Sequence, residues 1–168
     1  MFYLRDLPKH EHLRAQAQRY PDINPDAVTS LIVLLRVASD VLSHLESLLA
    51  GVDMSQGRFT VLMVLNRNPD LGLSPADLAT KCGVTRATMT GLLDGLEREG
   101  FVAREDDAAD RRMFVVQLTA SGRAFLDRIL PQYFRRIDKL MSPLGEREQR
   151  QLVEILTKLG AHVPPSTE

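Results

Sequence analysis

The sequence predicts a mainly α chain carrying one small β-hairpin, and three observations support that expectation. Apolar residues recur at three- and four-residue intervals along most of the chain. Ser, Thr or Asn stands just ahead of several of these runs, with Pro or an acidic residue close behind, as helix N-termini require. The period then drops to two in "FVARE" (101–105) and "FVVQL" (114–118), which flank the polar tract "DDAADRR".

At 168 residues the chain is expected to form one domain with short extensions. Hydrophobic residues make up 44% and charged residues 26%, the balance of an ordinary soluble protein, whereas aromatics are sparse at 5%. The core must therefore be aliphatic. A formal charge of −1 means that any attraction to a polyanion has to come from local segregation of charge. No apolar run is expected to reach the roughly 20 residues of a bilayer span, and "MFYLRDLPKHEH" lacks a signal pattern, so a cytoplasmic location without membrane contact is expected. Cys82 is the single cysteine, which excludes an intrachain disulfide and a multi-cysteine zinc site.

Residues 1–24, broken by Pro8 and Pro21, read as an arm that is partly helical around Glu11 to Arg19. Asn24 then caps a long helix over about 25–50, with Leu31, Leu34, Leu35, Ala38, Val41, Leu42, Leu45, Leu48 and Leu49 on a broad buried face. A second helix lies in "SQGRFTVLMVLNRNP", with Phe59, Leu62, Met63 and Leu65 inward. Ser74, Pro75 and Asp77 open a third, and Thr85 caps a fourth in which Met89, Leu92, Leu93 and Leu96 share one side before Gly100. After the hairpin, Thr119 caps a helix from Ser121, and a last helix runs from about Gly145 to Leu159. Helix, turn, helix and hairpin together make a winged helix-turn-helix. The lobe spans about 55–119, and residues 163–168 form a frayed tail.

Sinking Met89, Leu92, Leu93 and Leu96 into a core turns Ala87, Gly91, Asp94 and Arg98 outward, flanked by Thr88 and Thr90. The N-terminal half of that surface is small and uncharged apart from Arg86, which suits a helix lying deep in the major groove. Threonine methyls can touch thymine methyls, while the helix N-terminus attracts phosphate. Taken alone, these threonines are equally well a solvated face; the hairpin decides. There Asp107 and Asp110 bracket a turn ending in Arg111 and Arg112, suited to holding one guanidinium in place while the other projects into a narrow minor groove.

The stretch "LSPADLATKCGVTRATMTGLLDGLEREGFVAREDDAADRRMFVVQLTASGRAFL" (73–126) resembles the MarR family of winged-helix transcription factors. Arg104, Asp107, Asp110, Arg111 and Arg112, followed by Val116, Leu118, Thr119 and Gly122, follow that family's wing pattern. The resemblance implies a homodimer, formed by helices over about 25–50 and 121–160 within a unit spanning 25–162, that binds a pseudo-palindromic operator in double-stranded DNA as a repressor. It places base-reading positions at Thr85, Arg86, Ala87, Thr88 and Thr90 and wing-tip contacts at Arg111 and Arg112. Gly91 departs from the basic residue that many members carry there.

The apolar stripes of the later helices independently call for a second copy, since they exceed what a small winged helix can cover. The resemblance also implies a small anionic or aromatic effector, and His44, Arg58, Phe59 and Met63 are the candidate lining residues by position. Each of these is equally explained by packing or solvation. Cys82 reads as a packed residue, His10 and His12 lack a third metal ligand, no cofactor is implied, and nothing assembles a nucleophile with its base. A winged helix that only binds protein is the alternative. Such an adaptor has no use for Arg111 and Arg112.

Overall fold

The computed structural model describes residues 4–69, 71–106 and 114–164. Among the described residues, seven helices and one pair of strands follow in the order α1 (His10–Arg19), α2 (Pro25–Ala50), α3 (Gln56–Leu65), α4 (Pro75–Cys82), α5 (Arg86–Arg98), β1 (Val102–Asp106), β2 (Phe114–Leu118), α6 (Ala120–Met141) and α7 (Glu146–Gly160). Two compact units result, Met1–Leu126 and Asp127–Glu168, and α6 begins in the first and continues into the second.

Capping residues legible in the sequence make the expected bonds. Asn24 Oδ1 accepts from the amides of Asp26 (3.0 Å) and Ala27 (3.1 Å), and the Ser74 hydroxyl accepts from the Asp77 amide at 3.1 Å. Ser55, which pattern alone did not single out, caps α3 through the Arg58 amide at 3.3 Å. Gly83 ends α4 at φ +66°, the left-handed conformation that favours glycine in the tight turn between α4 and α5.

The core of the first unit is aliphatic and centres on α3. Phe59, Leu62 and Leu65 are buried as expected, but so are Val61 and Val64, so α3 is enclosed on more than one side. Its sequence therefore carries no clean amphipathic stripe. Met63 and Leu92, expected inward, are only half-buried at the margins of this packing. Leu78 and Ala79 of α4, Met89, Leu93 and Leu96 of α5, Val102, Val116 and Leu118 of the hairpin, and Phe125 and Leu126 of α6 join this core, as do Leu13, Leu49 and Met54 from the N-terminal part of the chain.

β1 and β2 pair antiparallel, with Val102 opposite Leu118 and Arg104 opposite Val116. Strand β1 lies one residue later than its pattern suggested. Leu73 adds a further bridge to Val116, through amide-to-carbonyl bonds of 3.1 and 2.9 Å, and so ties the segment before α4 to the wing. The Thr119 hydroxyl donates to the Gly100 carbonyl (2.7 Å) and accepts from the Gly122 amide (3.0 Å), which joins the end of α5 to the start of α6.

Two expectations need correction. The broad apolar face of α2 is not buried: only Leu49 is, while Leu31 is 53% and Leu42 52% exposed. Among the described residues, α1 and α3 pack against α2 without burying this face. The expectation that no stretch approaches a bilayer span also fails, because α2 is long and apolar enough to cross one by length and composition. Against that use stand Arg36 and Asp40, paired one turn apart in mid-helix (Nε to Oδ2 2.9 Å), since charges at membrane depth are costly.

In the second unit, the Gln149 side chain donates to the Leu144 carbonyl at 2.9 Å and fixes the turn between α6 and α7. Glu148 accepts from the Gly145 amide at 2.8 Å to cap α7. No residue of α7 is buried, and Ile155 is 55% exposed.

A Cβ on Gly122 would lie 2.1 Å from the Phe101 carbonyl oxygen, a backbone atom that cannot swing aside. In most helices Gly→Ala stabilises by about 1 kcal/mol. Here Gly122→Ala is expected to reverse that sign and destabilise the fold by about 1–3 kcal/mol, the usual range for overpacking. A urea denaturation midpoint equal to or above that of the unsubstituted chain would contradict it.

Candidate nucleic-acid interface

The candidate interface is built on α5. Withholding Met89, Leu93 and Leu96 from water leaves Thr85, Arg86, Ala87, Thr88, Thr90 and Gly91 exposed along the first two turns. Five of the base-reading candidates therefore lie on one accessible surface, as the helical period requires. The Thr85 hydroxyl accepts from the Thr88 amide at 3.2 Å and lies 3.0 Å from the Thr88 hydroxyl. The Thr90 hydroxyl donates to the Arg86 carbonyl at 3.0 Å. Its proton is thereby committed to the helix backbone, which leaves the oxygen lone pairs and the methyl group for an external partner. Among the described residues, the Arg86 guanidinium has no ion-pair partner.

The second half of α5 carries the acidic residues, and each is held by an arginine from another element. Arg104 on β1 reaches Asp94 at 2.6 Å and Glu97 at 3.3 Å, and its guanidinium stacks over the Phe114 ring at 5.4 Å. Arg58 on α3 pairs with Glu99. These partly exposed pairs add little stability. Their effect on the surface is larger, because a paired carboxylate presents a dipole, not a bare negative charge, to whatever approaches. What remains uncompensated toward the start of α5 is positive.

The wing-tip candidates Arg111 and Arg112 and the wing-structuring candidates Asp107 and Asp110 lie outside the described residues. Of the four effector-pocket candidates, His44 lies on α2 and Arg58, Phe59 and Met63 lie on α3. Phe59 is sealed in the core at 2% exposure, Met63 is half-buried, and His44 is exposed on α2. The Arg58 head lies against Glu99 and the Asp53 carbonyl. A separate pocket of about 240 Å³ lies between the end of α3 and the end of α4, lined by Val64, Leu65, Arg67, Leu73 and Lys81 among others. Sequence reasoning did not point there, because its walls come from three segments with no shared spacing.

Cys82 is half-buried, less than expected for a packed thiol in the turn. Burial pushes its pKa above the ordinary thiol value, and the Arg67 guanidinium partly offsets this. Among the described residues, no group of His, Cys, Asp and Glu is placed to hold a metal ion.

A sequence profile of the MarR family matches residues 51–113, which include α3, the helix-turn-helix and the beginning of the wing. The HTH-type transcriptional repressor YetL of Bacillus subtilis (strain 168) is 36% identical over 156 residues, covering 93% of this chain and 93% of YetL. The chain belongs to the MarR family. MarR-family structures agree with the architecture. The repressor CouR, solved bound to a 23-mer DNA duplex, superposes with a TM-score of 0.69 at 30% identity, over 77% of this chain and 90% of CouR. The fold is also that of Sco3205, a MarR family regulator from Streptomyces coelicolor, with a TM-score of 0.78 at 24% identity over 86% of this chain and 95% of that one. The winged helix-turn-helix is assembled here from α3, α4, α5 and the strands β1 and β2.

Because the raised pKa leaves less thiolate at any given pH, Cys82 is expected to alkylate more slowly than a free cysteine at pH 8. Its rate should level off only at a more alkaline pH. Trapping with iodoacetamide, followed by intact mass, measures this. A rate at pH 8 matching or exceeding that of glutathione would contradict it.

Proposed function

We propose that this MarR-family regulator binds double-stranded DNA as a homodimer and represses transcription, with the N-terminal half of α5 in the major groove. The observation that supports this most is the outward surface from Thr85 to Gly91, small, hydroxyl-rich and carrying one uncompensated cation, beside acidic groups that are each occupied by an arginine. Arg86 supplies a charge-assisted contact, Thr88 and Thr90 offer methyl and oxygen contacts to base edges, and Ala87 and Gly91 let the backbone approach closely. Arg111 and Arg112 are assigned to the minor groove from sequence alone.

The homodimer reading is supported by apolar surface that the described residues leave exposed. Leu31, Leu35 and Leu42 on α2 and Val153, Ile155, Leu156 and Leu159 on α7 are all exposed in the single chain. Each of these two surfaces by itself calls for a partner. Two copies would set two α5 helices about 34–36 Å apart, in successive major grooves of a pseudo-palindrome. The repressor assignment follows from YetL, which is similar along nearly all of this chain.

The test is selection of duplexes from a random pool by the purified protein, followed by salt titration of the recovered sequence. An inverted repeat is expected, with affinity falling steeply as salt rises through counterion release. Arg86→Ala is expected to cost about 1–3 kcal/mol with relaxed preference at one base pair if it reads a base, or to lower the salt slope by about 1 if it holds a phosphate. Recovery of no duplex, together with wild-type behaviour of Arg111→Ala and Arg112→Ala in every assay, would favour a protein-binding adaptor instead. Sedimentation equilibrium should give twice the chain mass, and a stable single subunit would remove the homodimer.

A further inference from the structure

Arg58 connects three separate parts of the chain: α3, the segment before it and the end of α5. It leaves the first turn of α3, and its stem crosses Gly95 of α5, where a Cβ would stand 3.5 Å from the Arg58 Cδ. One nitrogen of its head pairs with Glu99, the C-cap of α5. The other terminal nitrogen donates to the Asp53 carbonyl at 2.8 Å, and Nε approaches the Ser55 hydroxyl at 3.4 Å. Asp53 belongs to the elbow between α2 and α3 and has φ +53°, an uncommon conformation for a residue that is not glycine. Its carbonyl is thus aimed by a bent backbone at the same guanidinium that holds α5.

Close packing surrounds this junction. A Cβ on Gly57 would come within 3.1 Å of the Leu92 Cδ2, so α3 and α5 approach tightly at the turn that launches Arg58. The side chain is mostly withdrawn from solvent, at 19% exposure, while Glu99 is at 36%. Neither group lies among the first two turns of α5, so neither is placed to touch a base. The planar fork of arginine satisfies several acceptors in fixed directions, which the single ammonium of lysine does not.

We infer that Arg58 is a positioning residue for DNA reading: by joining the elbow after α2 to the C-terminal end of α5, it sets the angle at which α5 meets the duplex. The inference rests on the proposed DNA-binding function and deepens it. The α2 elbow and the far end of α5 are the two points between which the tilt of the reading helix is defined, and one guanidinium spans both. Met89, Leu93 and Leu96 hold the body of α5 and Arg104 ties it to the wing, while Arg58 fixes its C-terminal end to the elbow; small misplacements of contact groups are costly. The tie does not neutralise phosphate, so it should act on the fit of specific contacts and not on the number of released counterions.

Two conservative substitutions separate this role from the alternatives. In Arg58→Lys the charge stays but the fork is lost. In Glu99→Gln a negative charge near a polyanion is removed, which by simple electrostatics would strengthen DNA binding. The positioning role gives the opposite sign. Both variants are expected to lose about two- to thirtyfold in affinity for the selected duplex, the range seen for couplings carried through packed networks. Affinity for unrelated duplex, the salt slope and the thermal midpoint should stay close to those of the unsubstituted protein. The double variant should lose little more than either single one, since both break the same link.

Fluorescence anisotropy at several salt concentrations, on specific and unrelated duplexes, reads all of these. Binding by Glu99→Gln as tight as or tighter than that of the unsubstituted protein would overturn the inference. So would parallel loss on specific and unrelated duplexes, or an unaltered specific affinity in Arg58→Lys. Failure of the unsubstituted protein to bind any selected duplex would instead sink the DNA-binding function itself, so the two failures are distinguishable.

Discussion

The roll of α5 about its own axis is the constraint on which the rest of the surface depends. Met89, Leu93 and Leu96 are withheld from water almost completely, and each such aliphatic side chain is worth about 1.5–3 kcal/mol in the core. A rotation of the helix by one residue would expose them and bury Thr88 or Thr90, whose hydroxyls would then need new partners. The hydrophobic core therefore dictates which small and polar residues face outward. Gly95 acquires its position by the same logic, close enough to α3 for the stem of Arg58 to lie across it.

That roll also explains how an acidic segment can belong to a surface suited to a polyanion. Asp94, Glu97 and Glu99 fall on the half of α5 nearest β1 and the start of α3, where Arg104 and Arg58 arrive from separate parts of the chain. Coulomb attraction between exposed partners is modest in water, so these pairs contribute order more than stability. Arg104 carries a second constraint through the Phe114 ring, which keeps the strand and the helix in register across the hairpin. The net result is a division of charge along a single helix, achieved in a chain whose total charge is near zero.

Much of this was legible from the residues because caps and stripes are local. Asn24, Ser74, Thr85 and Thr119 each announced a helix start, and each side chain makes the bond its position implied. The hairpin was visible from Val and Phe alternation, with an error of one residue at β1. What escaped was anything set by distant contacts. The pairing of Arg58 with Glu99 spans 41 positions, and no spacing rule links them. Val61 and Val64 were missed because α3 is enclosed on several sides, which erases the periodic signal that marks a half-buried helix. The bridge from Leu73 to Val116 was missed because a single residue of strand leaves no alternation to read.

The same limitation works in reverse on α2, where a strong stripe promised a buried face and one chain leaves it open. At about 100° per residue, Leu31, Leu35 and Leu42 fall within roughly 40° of one another, while Val33 and Val37 lie on nearly the opposite side. All five are exposed. A surface helix of a lone subunit needs a single apolar stripe; one with two opposed stripes belongs between two neighbours or in lipid. The ion pair of Arg36 and Asp40, together with His44 and Glu46 farther along, makes lipid the costlier surrounding. Protein on both sides satisfies every one of these groups. A chain with few aromatics and a small core of its own would gain most of its remaining burial this way, so the proposed pairing with a second copy would complete the fold as much as it duplicates the reading helix.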